Sequence, residues 1–275
     1  MSADTPRQPP EQPLIHPTAV IDPRAQLHPT VEVGPYTVIG PQVQVGEGTR
    51  IGPHAVLKGP MRIGRRNQIF QFTSLGEISQ DKTARPEHDT RVEIGDDNTI
   101  REFVTIQRGT LKQDGLTRLG NDNWIMAYVH IAHDCIIGDH TVLANMTTLA
   151  GHVTVEDHVV LGGATLIHQF CRIGQHAFSA GGAGITRDVP PFLVVQGNPA
   201  EPRGINIEGI RRRDFSADDI ADIKRAYRAI FMSGLRTDEL RAELADAAAR
   251  SAHVRGMLAF VENSKRLVQK SRSED

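Results

Sequence analysis

Three short segments in the middle of this 275-residue chain hold the residues best suited to chemistry. They are His130-Ile131-Ala132-His133-Asp134-Cys135, Leu149-Ala150-Gly151-His152 and His168-Gln169-Phe170. A histidine beside a carboxylate has the makeup of an oriented general base: the carboxylate fixes the tautomer and supports the imidazolium. An unperturbed imidazole titrates near pH 6.5, which suits proton removal near neutrality. A glycine lets a reacting group approach its backbone N–H, as stabilising an oxyanion requires. Taken singly, each histidine reads as a surface residue satisfied by a turn hydrogen bond. They become a site only if the fold brings them together.

The spacing of aliphatic residues says that it does. From Ile15 to Leu75 every sixth residue is Leu, Ile or Val. The rhythm slips in phase, continues at Ile94, Ile100 and Ile106, slips again, and runs from Leu119 to Ile173 without a break. Ser179 interrupts it and Ile185 is back in phase. Glycine often follows the aliphatic slot, and the fifth position of each hexad is mostly small, as at Ala19, Thr37, Ala55, Thr73, Cys135 and Thr147. A helix repeats at 3.6 and a half-buried strand at 2. Period six is a short strand and a turn, repeated. Three hexads close one coil of a three-sided solenoid, with aliphatic side chains inside and small residues at the corners.

Such a solenoid turns sequence into a map. Successive coils lie about 4.8 Å apart, as neighbouring strands do, so residues eighteen apart stack. His133 then lies under Gly151 and Gly151 under Gln169, with Asp134 under His152 and with His130 and His168 close by. Clustered histidine is also a zinc signature, but no cysteine pair or H-E-x-x-H spacing accompanies it, and general-base chemistry ranks above metal. Cys135 and Cys171 fall in one corner column two coils apart, about 10 Å by strand spacing. That exceeds the roughly 7 Å Cα separation a disulfide tolerates, so both read as packing residues.

The two phase slips mark insertions. Residues 76–93 and 107–118 are polar and rich in charge or glycine, so they are expected to project as loops, where binding residues gather. The coil is expected to span 14–192, after a disordered, proline-rich lead-in over 1–13. Residues 193–275 are expected to form a helical domain. There Ser216 and Asp219 make a capping box, Thr237 caps a second helix, and a third covers about 253–270. Gly234 and Ser251 mark the breaks. A helical appendage would shield the open strand edges at one end of the solenoid.

Composition excludes several classes. Lys plus Arg number 31 against 33 Asp plus Glu, so no bulk attraction to nucleic acid or to anionic membrane is expected. The N-terminus lacks the apolar region of a secretory signal, and no apolar run is long enough to span a membrane. With two cysteines, nothing demands an oxidising compartment. The expected location is the cytoplasm, and no cofactor is called for.

The hexad rhythm resembles the hexapeptide-repeat transferases, whose fold is an all-β left-handed parallel β-helix. The hand comes from that resemblance, since it is an exception to the right-handed crossover rule. More specific are HIAHDC (130–135), LAGHVTV (149–155), HQFCRIG (168–174), GNPA (197–200) and NIEGIRRR (206–213). QFTSLGEISQD (71–81), RVEIGDDNTIRE (91–102) and DVPPF (188–192) point the same way. Together they resemble the UDP-N-acetylglucosamine O-acyltransferases of lipid A biosynthesis, from residue 15 to about 265.

That resemblance implies a homotrimer with sites in the clefts between subunits. It implies transfer of a 3-hydroxyacyl chain from acyl carrier protein to the 3-hydroxyl of UDP-GlcNAc. His133 would take the hydroxyl proton, Asp134 would orient it, and the Gly151 N–H would hold the oxyanion. Asp81 would hold the sugar, while His130, His152, His168 and Gln169 would line the substrate path. Asn206, Glu208, Arg212 and Arg213 would hold the nucleotide, and Gly181 would leave room in the acyl groove. On residue type alone Arg211 to Arg213 read as a solvated helix end, or, with Lys224, Arg225 and Arg228, as a dock for the acidic carrier protein. In the family a lysine stands two places after the sugar-binding aspartate. Here Lys82 follows Asp81 directly and Thr83 takes that place. Pro199 stands where the family often has histidine.

Three rivals remain. A related N-acyltransferase carries a nucleotide-binding domain before its β-helix, but here the repeats begin at Ile15. A carbonic-anhydrase-like metalloenzyme would need zinc. A non-catalytic scaffold would make the histidine patch incidental.

Overall fold

The computed structural model describes residues 14–269; the expected lead-in over 1–13 lies outside them. Each hexad forms a strand of two residues in most coils, the second being the aliphatic slot, followed by a turn. The strands stack into three all-but-parallel sheets of eleven, nine and eight strands among the described residues. Sheet 1 begins at Leu14–Ile15, sheet 2 at Val20–Ile21 and sheet 3 at Gln26–Leu27. The chain visits them in that order, so each coil has three walls and three corners.

Alternation within the strands sets the inside. Ile131, Ile137 and Leu143 are at most 1% exposed, while their neighbours His130, Ile136 and Val142 face outward and are only half-buried. A fully buried Leu or Ile contributes about 1.5–3 kcal/mol, so the column is held by many equal increments. Polar corners are satisfied along the axis. Asn98 Nδ2 donates to Asn67 Oδ1 (3.0 Å), Asn123 Nδ2 to Asn98 Oδ1 (2.9 Å), and Thr141 Oγ1 to Asn123 Oδ1 (2.6 Å). Buried polar groups are tolerable only when paired in this way. Cys135 and Cys171 are buried and free, and burial pushes their thiols up to about 12 and about 11. Ser179, the one polar aliphatic slot, is 1% exposed and shares a hydrogen bond of 2.8 Å with Thr165.

The stacking register is eighteen where no loop intervenes: His130 pairs with Thr148 and Thr148 with Leu166. Below His130 the partner is Thr105, and below Thr105 it is Ser74, so both insertions leave the coil and return to it. They are shorter than expected. Glu77 closes one strand and Arg91 opens the next, and the second loop likewise runs only between Gln107 and Leu116. The insertions borrow a few residues to extend the strands that flank them. Both project from the corner between sheets 2 and 3.

The β structure continues past residue 192. Leu193–Gln196 adds a parallel strand to sheet 1, and Glu201–Ile205 folds back against it antiparallel. The helical part therefore starts later than 193, with α1 (Ile207–Arg211), α2 (Ala217–Met232), α3 (Thr237–Arg250) and α4 (Ala252–Glu262). The Ser216–Asp219 capping box is present. Arg236, not Thr237, is the N-cap of α3. The last helix stops at Glu262, short of 270, and the chain then turns back. Asp188 N donates to Arg266 O, and Val268 N to Asp188 O, which ties the tail to the top coil.

Candidate active site

The corner between sheets 2 and 3 gathers the stacked segments as the map requires. Asp134 turns that corner in the left-handed region, with φ of 58°, a conformation aspartate tolerates better than most residues. Its carboxylate is almost wholly buried and accepts three hydrogen bonds. His133 Nδ1 lies 2.8 Å from Oδ2, Thr110 N 2.9 Å from Oδ1 and Thr110 Oγ1 2.7 Å from Oδ2. Burial pushes the carboxyl pKa up, but these bonds outweigh it and hold it below the ordinary value. Asp134 is therefore ionised and acceptor-only. His133 must donate its Nδ1–H, which leaves the Nε2 lone pair to take a proton.

Gly151 stands one coil above. A Cβ there would overlap Cε1 and Nε2 of His133, so only glycine lets the ring lie where it does. The Gly151 N–H donates to no group among the described residues. A base and an unspent donor thus stand side by side.

The other histidines frame this pair. His152 meets His133 edge-on, with centroids 5.0 Å apart, and stacks on Phe170 at 4.5 Å. Its Nδ1 donates to Gln113 Oε1 at 2.6 Å. Burial lowers its pKa, against the pull of Asp134. His130 Nδ1 bonds Thr105 Oγ1 at 2.7 Å, and burial, then the repulsion of His133, lowers its pKa. His168 and Gln169 sit exposed one coil higher. Asp81, on the first loop, accepts from Thr83 N (2.8 Å) and Thr83 Oγ1 (2.5 Å), and pairs with Lys112 Nζ at 2.6 Å. These bonds hold its carboxyl far below the usual range.

His133, Asp134 and His152 also offer three metal-ligating atoms within 4.8 Å of one another. The Nδ1 atoms of both histidines are spent as donors to Asp134 and Gln113, so an ion that left those bonds in place would have to use the Nε2 atoms.

A single chain does not unite all the expected residues. Asn206 caps α1 and donates from Nδ2 to His176 O at 2.9 Å, at the corner between sheets 3 and 1. Glu208 is exposed and pairs with Arg211 at 3.5 Å, Arg212 is exposed, and Arg213 Nη1 bonds Gly209 O at 3.2 Å. Gly181 is exposed at the third corner, between sheets 1 and 2. None of these is at the His133 corner of its own chain. Conversely, Thr110, Lys112 and Gln113 escaped individual notice in the sequence. Their segment read only as a projecting loop, and its length gave no sign of which side chains turn back.

The chain is similar to known proteins in sequence and in fold. The family model described as UDP N-acetylglucosamine O-acyltransferase, domain 2, matches residues 188–268, and the bacterial transferase hexapeptide model matches 24–59 and 117–151. The acyl-[acyl-carrier-protein]–UDP-N-acetylglucosamine O-acyltransferase of Halorhodospira halophila is 57% identical over 92% of this chain and 97% of its own length. This chain belongs to that O-acyltransferase family. The Herminiimonas arsenicoxydans member is 53% identical over 92% and 98%. Among solved O-acyltransferases, that of Moraxella catarrhalis aligns with TM-score 0.90 and 42% identity, covering 93% and 100%. That of Francisella novicida aligns with 0.91 and 38%, covering 94% and 95%. The fold class read from the sequence, a left-handed parallel β-helix with a helical tail, agrees with these O-acyltransferases. No helix among the described residues is long and apolar enough to cross a membrane.

Proposed function

We propose that this O-acyltransferase moves a 3-hydroxyacyl chain from acyl carrier protein to the 3-hydroxyl of UDP-N-acetylglucosamine, opening lipid A biosynthesis. The observation that carries the mechanism is His133, locked by Asp134 and laid against Gly151. The Nε2 of His133 takes the sugar hydroxyl proton as the oxygen attacks the thioester carbonyl. The Gly151 N–H steadies the resulting oxyanion, and Asp134 steadies the imidazolium. Collapse breaks the C–S bond. The departing carrier thiolate takes the proton back from His133, which leaves the O-acyl sugar nucleotide and free carrier.

Asp81 holds the sugar, and His130, His152, His168 and Gln169 line the path. Asn206, Glu208, Arg212 and Arg213 serve a neighbouring chain's site in a homotrimer, which is why they stand at a different corner from their own His133. A ladder of exposed rings, Tyr36, His54, Phe72, Phe103 and Tyr128, runs up the corner between sheets 1 and 2 with centroids 4.8–5.2 Å apart. Such an apolar strip suits burial by another copy. Gly181, at the top of the same corner, leaves space for the acyl chain. Lys224, Arg225 and Arg228 of α2 line a groove of about 760 Å³ with Met232 and Leu235, a basic and apolar dock for an acidic carrier. The reaction as read needs no cofactor, and its place is the cytoplasm.

The test is mass spectrometry of purified protein with UDP-GlcNAc and a panel of acyl carrier thioesters. O-acylated UDP-GlcNAc supports the reading and reports chain length. No product with any thioester sinks it.

A further inference from the structure

The second projecting loop reaches back to three site residues at once. Thr110 bonds Asp134, Lys112 pairs with Asp81 at 2.6 Å, and Gln113 accepts from His152. Of the three, Lys112 alone carries charge. Its side chain is about half exposed, with a fraction of 52%. One of its three N–H donors is spent on Asp81, and it makes no other side-chain hydrogen bond among the described residues, so two point elsewhere. Asp81 has the complementary vacancy: three donors fill most of the roughly four acceptor positions of a carboxylate, which leaves about one for a sugar hydroxyl.

The charges have a consequence for the substrate. An ionised Asp81 that holds the sugar also stands near whatever anion the sugar carries. Uncompensated, it would repel a diphosphate. Thr83, which occupies the place where the family resemblance put a lysine, brings neutral donors only. Lys112, from the other loop, brings a positive charge into direct contact with Asp81.

We propose that Lys112 is a substrate-binding residue that meets the diphosphate of the nucleotide sugar while keeping Asp81 in place for the sugar. The inference rests on the nucleotide-sugar reading of the site. A lysine suits the role because its ammonium is a mobile point charge that binds phosphate without a fixed fork geometry. The loop thereby links nucleotide-sugar binding to the base, because the residues flanking Lys112 hold Asp134 and His152.

The experiment compares Lys112→Met, Lys112→Arg and Asp81→Asn in the intact protein, with steady-state kinetics and calorimetric binding of UDP and of UDP-GlcNAc. A charge-assisted contact of this kind is worth about tenfold or more in affinity. Lys112→Met is expected to raise KM for UDP-GlcNAc by about that factor. Its kcat and its KM for the acyl carrier should stay within about twofold. It should weaken UDP itself comparably, and Lys112→Arg should recover most of the loss. Asp81→Asn should weaken UDP-GlcNAc without weakening UDP. Unchanged KM for UDP-GlcNAc in Lys112→Met overturns the inference. So does a loss for UDP-GlcNAc with none for UDP, since Lys112 would then act only through Asp81. Wild-type protein that binds neither nucleotide overturns it as well. Wild-type protein that binds both but forms no product overturns the transfer reading alone, and the UDP comparison still decides Lys112.

Discussion

At the residue scale the site is made by a pair of contacts that each fix one degree of freedom. Asp134 sets the tautomer of His133, and Gly151 sets the plane of its ring. His133→Ala is expected to lower kcat by about 10²-fold or more, the lower end of what a positioned general base contributes, with the fold intact by circular dichroism. Gly151→Ala tests the second contact. Its methyl would overlap the His133 ring, so the ring must swing off its bond to Asp134. The expected outcome is a kcat loss of similar size and little change in KM for UDP-GlcNAc, read from steady-state kinetics. Much of this pair was legible in the sequence, because period six and a coil of eighteen place His133 under Gly151 without any coordinates. What was not legible is where loop side chains turn. Thr110 and Gln113 sit in a segment with no periodicity, and nothing in their spacing links them to Asp134 or His152.

At the element scale the corners differ in what they stack. The corner between sheets 3 and 1 stacks imidazoles. His140, His158 and His176 follow one another at centroid spacings of 4.7 Å, and Phe192 lies above at 5.3 Å. His176 is 5% exposed and the Nδ1 atoms of His158 and His176 find no partner among the described residues. Burial, then repulsion from His158, Arg213 and His253, brings the His176 pKa down to about 3. Above pH 6.5 both folded and unfolded chains hold it neutral. Below that the unfolded chain binds a proton that the folded chain refuses until about pH 3. Stability should therefore fall as pH drops through this window, by about 1.4 kcal/mol per pH unit for each such group. His176→Phe keeps a stacking ring and removes the proton site, so urea unfolding followed from pH 7 to pH 4 should show a shallower slope than wild type. The sequence named the helices here but not all their ends, and it placed the strands Leu193–Gln196 and Glu201–Ile205 in the helical domain. The hairpin after residue 192 lacks the hexad rhythm, because an antiparallel return strand has no corner to turn. The last helix stops at Glu262 since the chain that follows bonds back to Asp188.

At the scale of the whole molecule, His133 and the residues proposed to hold the nucleotide stand at different corners of one chain. If neighbouring chains complete each other's sites, two dead variants should rescue each other. His133→Ala and the double variant Arg212→Ala, Arg213→Ala, each nearly inactive alone, are expected to recover activity when unfolded and refolded together. Random assembly into trimers creates some clefts with both sets intact. Mixtures no more active than the separate proteins would place all the site residues within one chain.

The eighteen-residue coil also sets what kinds of length change this enzyme can survive in its lineage. Six residues added between Asp134 and Gly151 would carry the glycine to the next corner, a third of a turn from the base. Eighteen would keep it at the right corner but lift it one storey, about 4.8 Å, off the ring it must touch. Growth outside the wall is neutral, and both insertions take that form, leaving from a corner and returning in step. The loops that hold Asp81 and Lys112 can thus absorb a change in length, while the column that holds His133 is counted out in fixed units like the teeth of an indexed gear.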